Sequence, residues 1–280
     1  MDFTQVDHIV SQVEKSIYET FPFDPKSELL IGVDLGTAYV VMVVLDQKNN
    51  PIACEMEFAQ VVKDGLVVDY IGATQIVRRL KEKLEQRLGQ SLLRAAIAVP
   101  PGTGAKDSQT HRYVVEGAGL EVISILDEPT AANAVLQVNN GVIVDIGGGT
   151  TGLSIIKNGE VIYTADEATG GTHLSLVLAG NYRVKFEEAE NIKKDPAQKK
   201  EVLAVVRPVI QKMASIIETH IADFDVDRIY LVGGTCCLEG FEDVVEKEIG
   251  IATQKPHNPF LVTPLGIAMN CREEEVIQWR

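Results

Sequence analysis

Ile31-Gly-Val-Asp34-Leu-Gly36-Thr37 and Ile143-Val-Asp145-Ile-Gly147-Gly148-Gly149-Thr150 repeat one pattern: an apolar strand running out into Asp, Gly and Thr. The repeat continues downstream. Residues 40–45 read as a second strand that turns at Asn49-Asn50-Pro51 and returns over 52–58. Residues 152–156 do the same, turning at Lys157-Asn158-Gly159 and returning over 160–163. Asn-Gly between apolar runs is the strongest short-range hairpin signal. A unit repeated in this way predicts two similar halves facing one ligand.

The residue types point to the ligand. A Gly-rich turn lets backbone approach a phosphate with its N–H groups aimed at the anion, and a Thr hydroxyl adds a donor. An Asp beside a phosphate repels it unless a cation stands between them. Two such Asp, one per half, suit Mg²⁺ held mostly through its waters. The pattern therefore implies a nucleoside triphosphate with Mg²⁺ clamped between two lobes. Two other phosphate motifs fail. The stretch 147–152 matches G-x-G-x-x-G but opens a hairpin rather than a helix. Gly102-Thr-Gly104-Ala-Lys106 lacks the spacing of a P-loop.

Five segments, in order, resemble the actin, sugar kinase and Hsp70 superfamily. Residues 31–37 and 144–151 resemble its two phosphate loops. Ile125-Leu-Asp-Glu128-Pro129-Thr130-Ala131-Ala132 and Pro264-Leu-Gly266-Ile-Ala268 resemble its two connecting helices. Ile229-Tyr-Leu-Val-Gly233-Gly234-Thr235 resembles its adenosine motif. Within the superfamily, the short chain and Val99-Pro100-Pro101-Gly102-Thr103-Gly104 look most like the EutJ family of ethanolamine utilization proteins. PilM, FtsA and the nucleotide-binding domain of DnaK look like more distant relatives.

The resemblance implies an α/β, two-lobed actin-like ATPase, a duplicated ribonuclease H-like βββαβαβα unit, with an added N-terminal helix. It implies a helix and linker over 1–28, lobe I over 29–138, lobe II over 139–263, and a C-terminal helix over 264–280 that returns to lobe I. Asp34 and Asp145 would flank Mg²⁺. Gly36, Thr37, Ala38, Gly147, Gly148, Gly149 and Thr150 would hold phosphates, and Glu128 would orient the attacking water. Gly233, Gly234 and Thr235 would border the adenosine. The implied role is an ATP-binding, slowly hydrolysing chaperone-like protein that acts on an enzyme or shell protein of a bacterial microcompartment. The alternative is an actin-like filament-forming ATPase or a pilus or division scaffold, and self-association stays open. A small-molecule kinase is disfavoured, because no insertion supplies a sugar site.

Departures from Hsp70 leave hydrolysis open. Ala38 replaces a second hydroxyl, no catalytic lysine is matched before Ala95, and no peptide-binding domain follows. The span from Thr172 to Arg228 is too short for a full Hsp70 lobe.

Composition narrows the partners. A formal charge of −14 argues against nucleic acid and against a polybasic membrane anchor. No apolar run reaches the ~20 residues of a membrane span, and the acidic start is unlike a secretory signal. These features predict a cytoplasmic protein, and the resemblance adds the microcompartment and a protein partner as what it implies. The four cysteines fit no zinc spacing. Cys236-Cys237 read as packing residues or, alternatively, as a thiol beside the nucleotide pocket.

Other segments leave alternatives. Residues 1 to about 20 carry Phe3, Val6, Ile9, Val10, Val13, Ile17 and Tyr18 at helical spacing. That helix packs on its own lobe or docks a partner. Residues 73–88 form a helix whose Arg78, Arg79, Lys81, Lys83 and Arg87 read as a solvated face. Gly170 and Gly171 open the longest helical stretch of the second lobe and could border the nucleotide. Glu190 and Lys193 are either a charged surface pair at i, i+3 or residues flanking the adenine.

Overall fold

The computed structural model describes residues 3–272. The first half begins with α1 (Thr4–Ser16) and a β-meander of β1 (Leu30–Leu35), β2 (Tyr39–Leu45) and β3 (Pro51–Phe58). A small hairpin of β4 (Val62–Lys63) and β5 (Leu66–Val67) follows. Then come α2 (Tyr70–Leu88), β6 (Arg94–Val99), α3 (Ala105–Gly117), β7 (Glu121–Asp127) and α4 (Glu128–Leu136). The second half repeats the plan with β8 (Gly141–Ile146), β9 (Thr151–Lys157), β10 (Glu160–Glu167), α5 (Gly171–Tyr182), α6 (Phe186–Lys194) and α7 (Lys199–Ile221). It closes with β11 (Arg228–Val232), α8 (Phe241–Ile249), β12 (Ala252–Gln254) and α9 (Val262–Met269). The helix opened by Gly171 is not the longest of this half; α7 is, at 23 residues.

The two main sheets have one topology. Strand order is β3-β2-β1-β6-β7 in the first and β10-β9-β8-β11-β12 in the second. In each, three antiparallel strands are extended by two parallel ones. Strand alternation sorts side chains between cores. Val33, Leu35, Val40, Met42 and Val44 face an outer core under α2 and α3. Leu30, Val41, Val43 and Leu45 face the other way, into a core shared by both sheets. Ile143, Tyr230 and Val232 enter the same shared core from the second sheet, together with residues of α4 and α9. A third core lies under α5, α7 and α8.

α9 is buried from Val262 to Ala268 and packs against α4 and against β1, in the sheet of the first half. The expected continuation of this C-terminal segment beyond residue 272 lies outside the described residues.

α1 puts Val6, Val10 and Val13 into the shared core, so its apolar stripe is taken up within the chain. Its start touches the second half: Phe3 meets Tyr230 edge-on with centroids 6.2 Å apart, and the His257 N–H donates to Asp7 at 2.7 Å. Its end is held by the first half. Arg87 of α2 donates to the carbonyls of Ser16 and Glu19, each at 2.7 Å, and to Cys54 at 2.9 Å, while pairing with Glu55 at 2.7 Å. Arg87 therefore leaves the solvated face assigned to it and caps the open carbonyls at the end of α1. Among the described residues, no helix is long and apolar enough to cross a membrane.

Candidate functional site

A cavity of about 660 Å³ opens between the two sheets. β1 delivers Asp34, and the turn after it delivers Gly36, Thr37 and Ala38. β8 delivers Asp145, and its turn delivers Gly147, Gly148, Gly149 and Thr150. Glu128 sits at the junction of β7 and α4. Asp127 caps that helix by accepting from the N–H and the hydroxyl of Thr130, both at 2.8 Å. Gly171, Glu190, Lys193, Gly233, Gly234 and Thr235 also line it. Of the residues singled out from the sequence, Gly170 alone stands behind the wall. A Cβ there would lie 2.7 Å from the Gly147 and Gly148 carbonyl oxygens.

The second loop is held from its own side. Gly171 and Thr172 donate their N–H groups to the carbonyls of Gly147 and Gly148 at 3.0 and 2.8 Å. The Thr235 hydroxyl donates to Gly147 at 2.7 Å. The start of α5 thus spends these N–H groups on the loop. Gly233 has φ +89°, and a Cβ on it would collide with the Asp145 carboxylate and the Ile146 carbonyl. The conformation and the space both require glycine there.

The floor of the cleft concentrates acid. Burial and then the neighbouring Asp145 push the Asp34 carboxyl up to about 7. Asp34 keeps part of its surface open to the cleft, so water there moderates that push. Asp145 is only 5% exposed, and burial raises it to about 6 against the opposing hydrogen bond from Thr263 at 2.5 Å. Glu128 is raised well above its ordinary value by burial, then by Asp145 and Asp34. Among the described residues, no basic side chain forms an ion pair with any of the three. That donor set suits a cation. No group of three His, Cys, Asp or Glu side chains among the described residues is arranged to hold a metal ion by itself. An ion such as Mg²⁺ that keeps several waters matches this set.

Glu190 and Lys193 are not a surface pair. Glu190 is 7% exposed. Lys193 Nζ lies 2.5 Å from Glu190, 2.7 Å from the Ser175 hydroxyl and 3.2 Å from the Gly171 carbonyl. Burial alone would raise the Glu190 carboxyl, but Lys193, Ser175 and Lys194 reverse that and hold it low. A buried pair satisfied on every side is tolerable, whereas a half-satisfied one is not. Cys236 is fully buried, with its thiol pushed well up by burial, which agrees with a packing role. Cys237 lines the cleft.

The structure adds residues that the sequence reading passed over. Thr263 secures Asp145. The β4–β5 hairpin reaches the second loop, since a Cβ on Gly149 would lie 2.9 Å from the Asp64 nitrogen. Its signal is the Asp64-Gly65 dipeptide between apolar pairs. Asp166, on β10 opposite Gly152, adds a fourth carboxyl, raised to about 7 by burial. Its Oδ1 is buried with no hydrogen-bond partner among the described residues. Reading the third strand as ending at 163 hid it.

Two sheets of one topology, each offering an Asp-bearing strand and a glycine loop to a common cleft, define the actin-like ATPase fold. The AMPPNP-bound structure of MreB5 from Spiroplasma citri has that fold: its TM-score is 0.70 at 15% identity, over 86% of this chain and 95% of the other. The family model described as type IV pilus assembly protein PilM matches residues 112–273. Ethanolamine utilization protein EutJ of Escherichia coli K12 is 43% identical over 264 residues, 94% of this chain and 93% of that protein. The crystal structure of EutJ from Carboxydothermus hydrogenoformans has a TM-score of 0.91 at 49% identity, over 96% of this chain and 99% of the other. The chain belongs to the EutJ family of ethanolamine utilization proteins.

Proposed function

We propose that this chain is a nucleotide-dependent switch. It binds ATP with Mg²⁺ between lobes 29–138 and 139–263, hydrolyses it slowly, and signals its state to a protein partner of the ethanolamine utilization microcompartment. The observation that carries the reading is the acidic floor. Asp34 and Asp145 come from equivalent strands of the two sheets and, with Glu128, face one cleft where no basic side chain among the described residues is paired to them. The EutJ relatives support the ethanolamine utilization context, and the MreB5 likeness supports the choice of ligand.

Asp34 and Asp145 would hold Mg²⁺, which neutralises charge between carboxylates and phosphates. Thr37 and the N–H groups of the two loops would bind the phosphates. Glu128 would orient a water for attack on the terminal phosphorus, and ADP and inorganic phosphate would leave. Burial first, then Asp145 and Asp34, raise the Glu128 carboxyl, and a cation held by the two Asp would relieve the second part of that push. Loss of the terminal phosphate removes a tie between the lobes, as in other nucleotide switches.

Calorimetric titration of ATP and ADP with Mg²⁺ tests the reading on the parent and on Asp145→Ala. Binding by the parent that the substitution abolishes supports the clamp. A folded parent that binds neither nucleotide overturns it. The PilM match supports a second reading as a pilus-type scaffold ATPase, for which binding of a membrane partner's peptide is the discriminating result.

A further inference from the structure

We infer that Lys194 is an inter-lobe clasp across the mouth of the cleft that sets how fast a nucleotide enters and leaves. The ligand rests on the reading proposed above; the clasp rests on geometry. Lys194 ends α6, in the second half of the chain. Its ammonium lies 5.1 Å from the ring centroids of both Tyr39 and Phe58, on β2 and β3 of the first half. It donates to the Tyr39 hydroxyl at 3.3 Å. Glu190 Oε2, at 3.1 Å, ties it back to its own helix. Tyr39 also packs edge-on against Phe260 from the second half, with centroids 5.5 Å apart. One cation and three rings thus join the two walls.

These groups line the same cavity as the acidic floor. They form its rim: the Lys194 side chain is 42% exposed and Phe58 45%, against 5% for Asp145 at the floor. The attraction of an ammonium for a ring face acts within about 6 Å. Parting the walls by a few ångströms breaks both ring contacts at once. The contacts run between the chain's own side chains and need no ligand atom, so they oppose opening in the free protein as well as in the loaded one. It therefore acts on both rates and leaves their ratio nearly unchanged.

Stopped-flow measurement with a fluorescent ADP analogue and Mg²⁺ tests this on the parent, Phe58→Leu, Lys194→Met and Lys194→Arg. Phe58→Leu and Lys194→Met should each raise the association and dissociation rates about fivefold to twentyfold, with Kd moving less than about threefold. Lys194→Arg should stay within about threefold of the parent, because a guanidinium stacks on the same rings. Unchanged rates in variants that bind would overturn the clasp. So would a weaker Kd with an unchanged association rate, which would make these side chains ligand contacts. If the parent binds no nucleotide, the functional reading fails, and hydrogen exchange of the ligand-free proteins decides the clasp separately. Gly148 packs on Thr37 and Gly149 on Asp64 across the same cleft. Their amides should exchange faster in Phe58→Leu, and equal exchange overturns the proposal.

Discussion

Gly266 of α9 lies so close to Ala131 of α4 that a methyl group on Gly266 would overlap the Ala131 carbonyl oxygen. The two helices cross on bare backbone. Gly32 of β1 repeats the arrangement beneath, where a Cβ would collide with the Ala268 N–H. Interiors packed to this density cannot absorb an added methyl without moving helices. Gly266→Ala should destabilise the protein by about 3 kcal/mol or more. A urea midpoint unchanged from the parent would show that the crossing relaxes freely.

Glu128→Gln keeps the shape of the side chain and removes its capacity to accept a proton. ATP turnover should fall by about 10²- to 10⁴-fold. ATP affinity, measured by calorimetry, should stay within about threefold, since the substitution removes a buried carboxyl and no phosphate donor. Parent-like turnover would exclude Glu128 from the reaction.

The raised carboxyls give the ligand-free protein a pH dependence of defined sign. The folded pKa of Asp34 is about 7 against an ordinary 3.8, and that of Asp145 is about 6. Between these limits the folded protein holds protons that the unfolded chain has lost, so stability falls as pH rises from about 4 to about 7. Thermal melts across that range should show the decline. Asp34→Asn should flatten it and raise the melting temperature at pH 8 by a few degrees, while weakening binding of Mg²⁺ with ATP. A steeper decline in the variant would contradict the assignment.

Arg87→Ala strips the carbonyls of Ser16, Glu19 and Cys54 of their donor and leaves Glu55 without its partner. A cost of about 2–3 kcal/mol is expected. Limited proteolysis should then cut between α1 and β1 at a protease concentration that spares the parent. Equal resistance would mean that the apolar stripe of α1 suffices to hold it.

Much of this architecture was legible because its signals are local and repeated. The two Asp-Gly-Thr strands and their hairpins announced a duplicated sheet, and Gly266 and Glu128 stood inside recognisable helix starts. What escaped was long-range. Thr263 meets Asp145, and Lys194 meets Tyr39, only after both halves have folded. Nothing in the sequence around Arg87 separates a residue that holds a neighbouring helix from the exposed Arg79 on the same helix. Glu190 and Lys193 have the spacing of an ordinary helix-surface pair, and only tertiary packing buries them. Asp166 was lost to a strand end set four residues early.

The core between the two sheets belongs to neither. α1 and α9 press into it, and strands of both halves supply its walls. Heated in a calorimeter, the halves should therefore not melt one after the other. A single heat-absorption peak is expected, with van't Hoff and calorimetric enthalpies equal, as for one cooperative unit. Either half expressed alone would carry an apolar face meant for the other and should be recovered as aggregate rather than as a small folded domain.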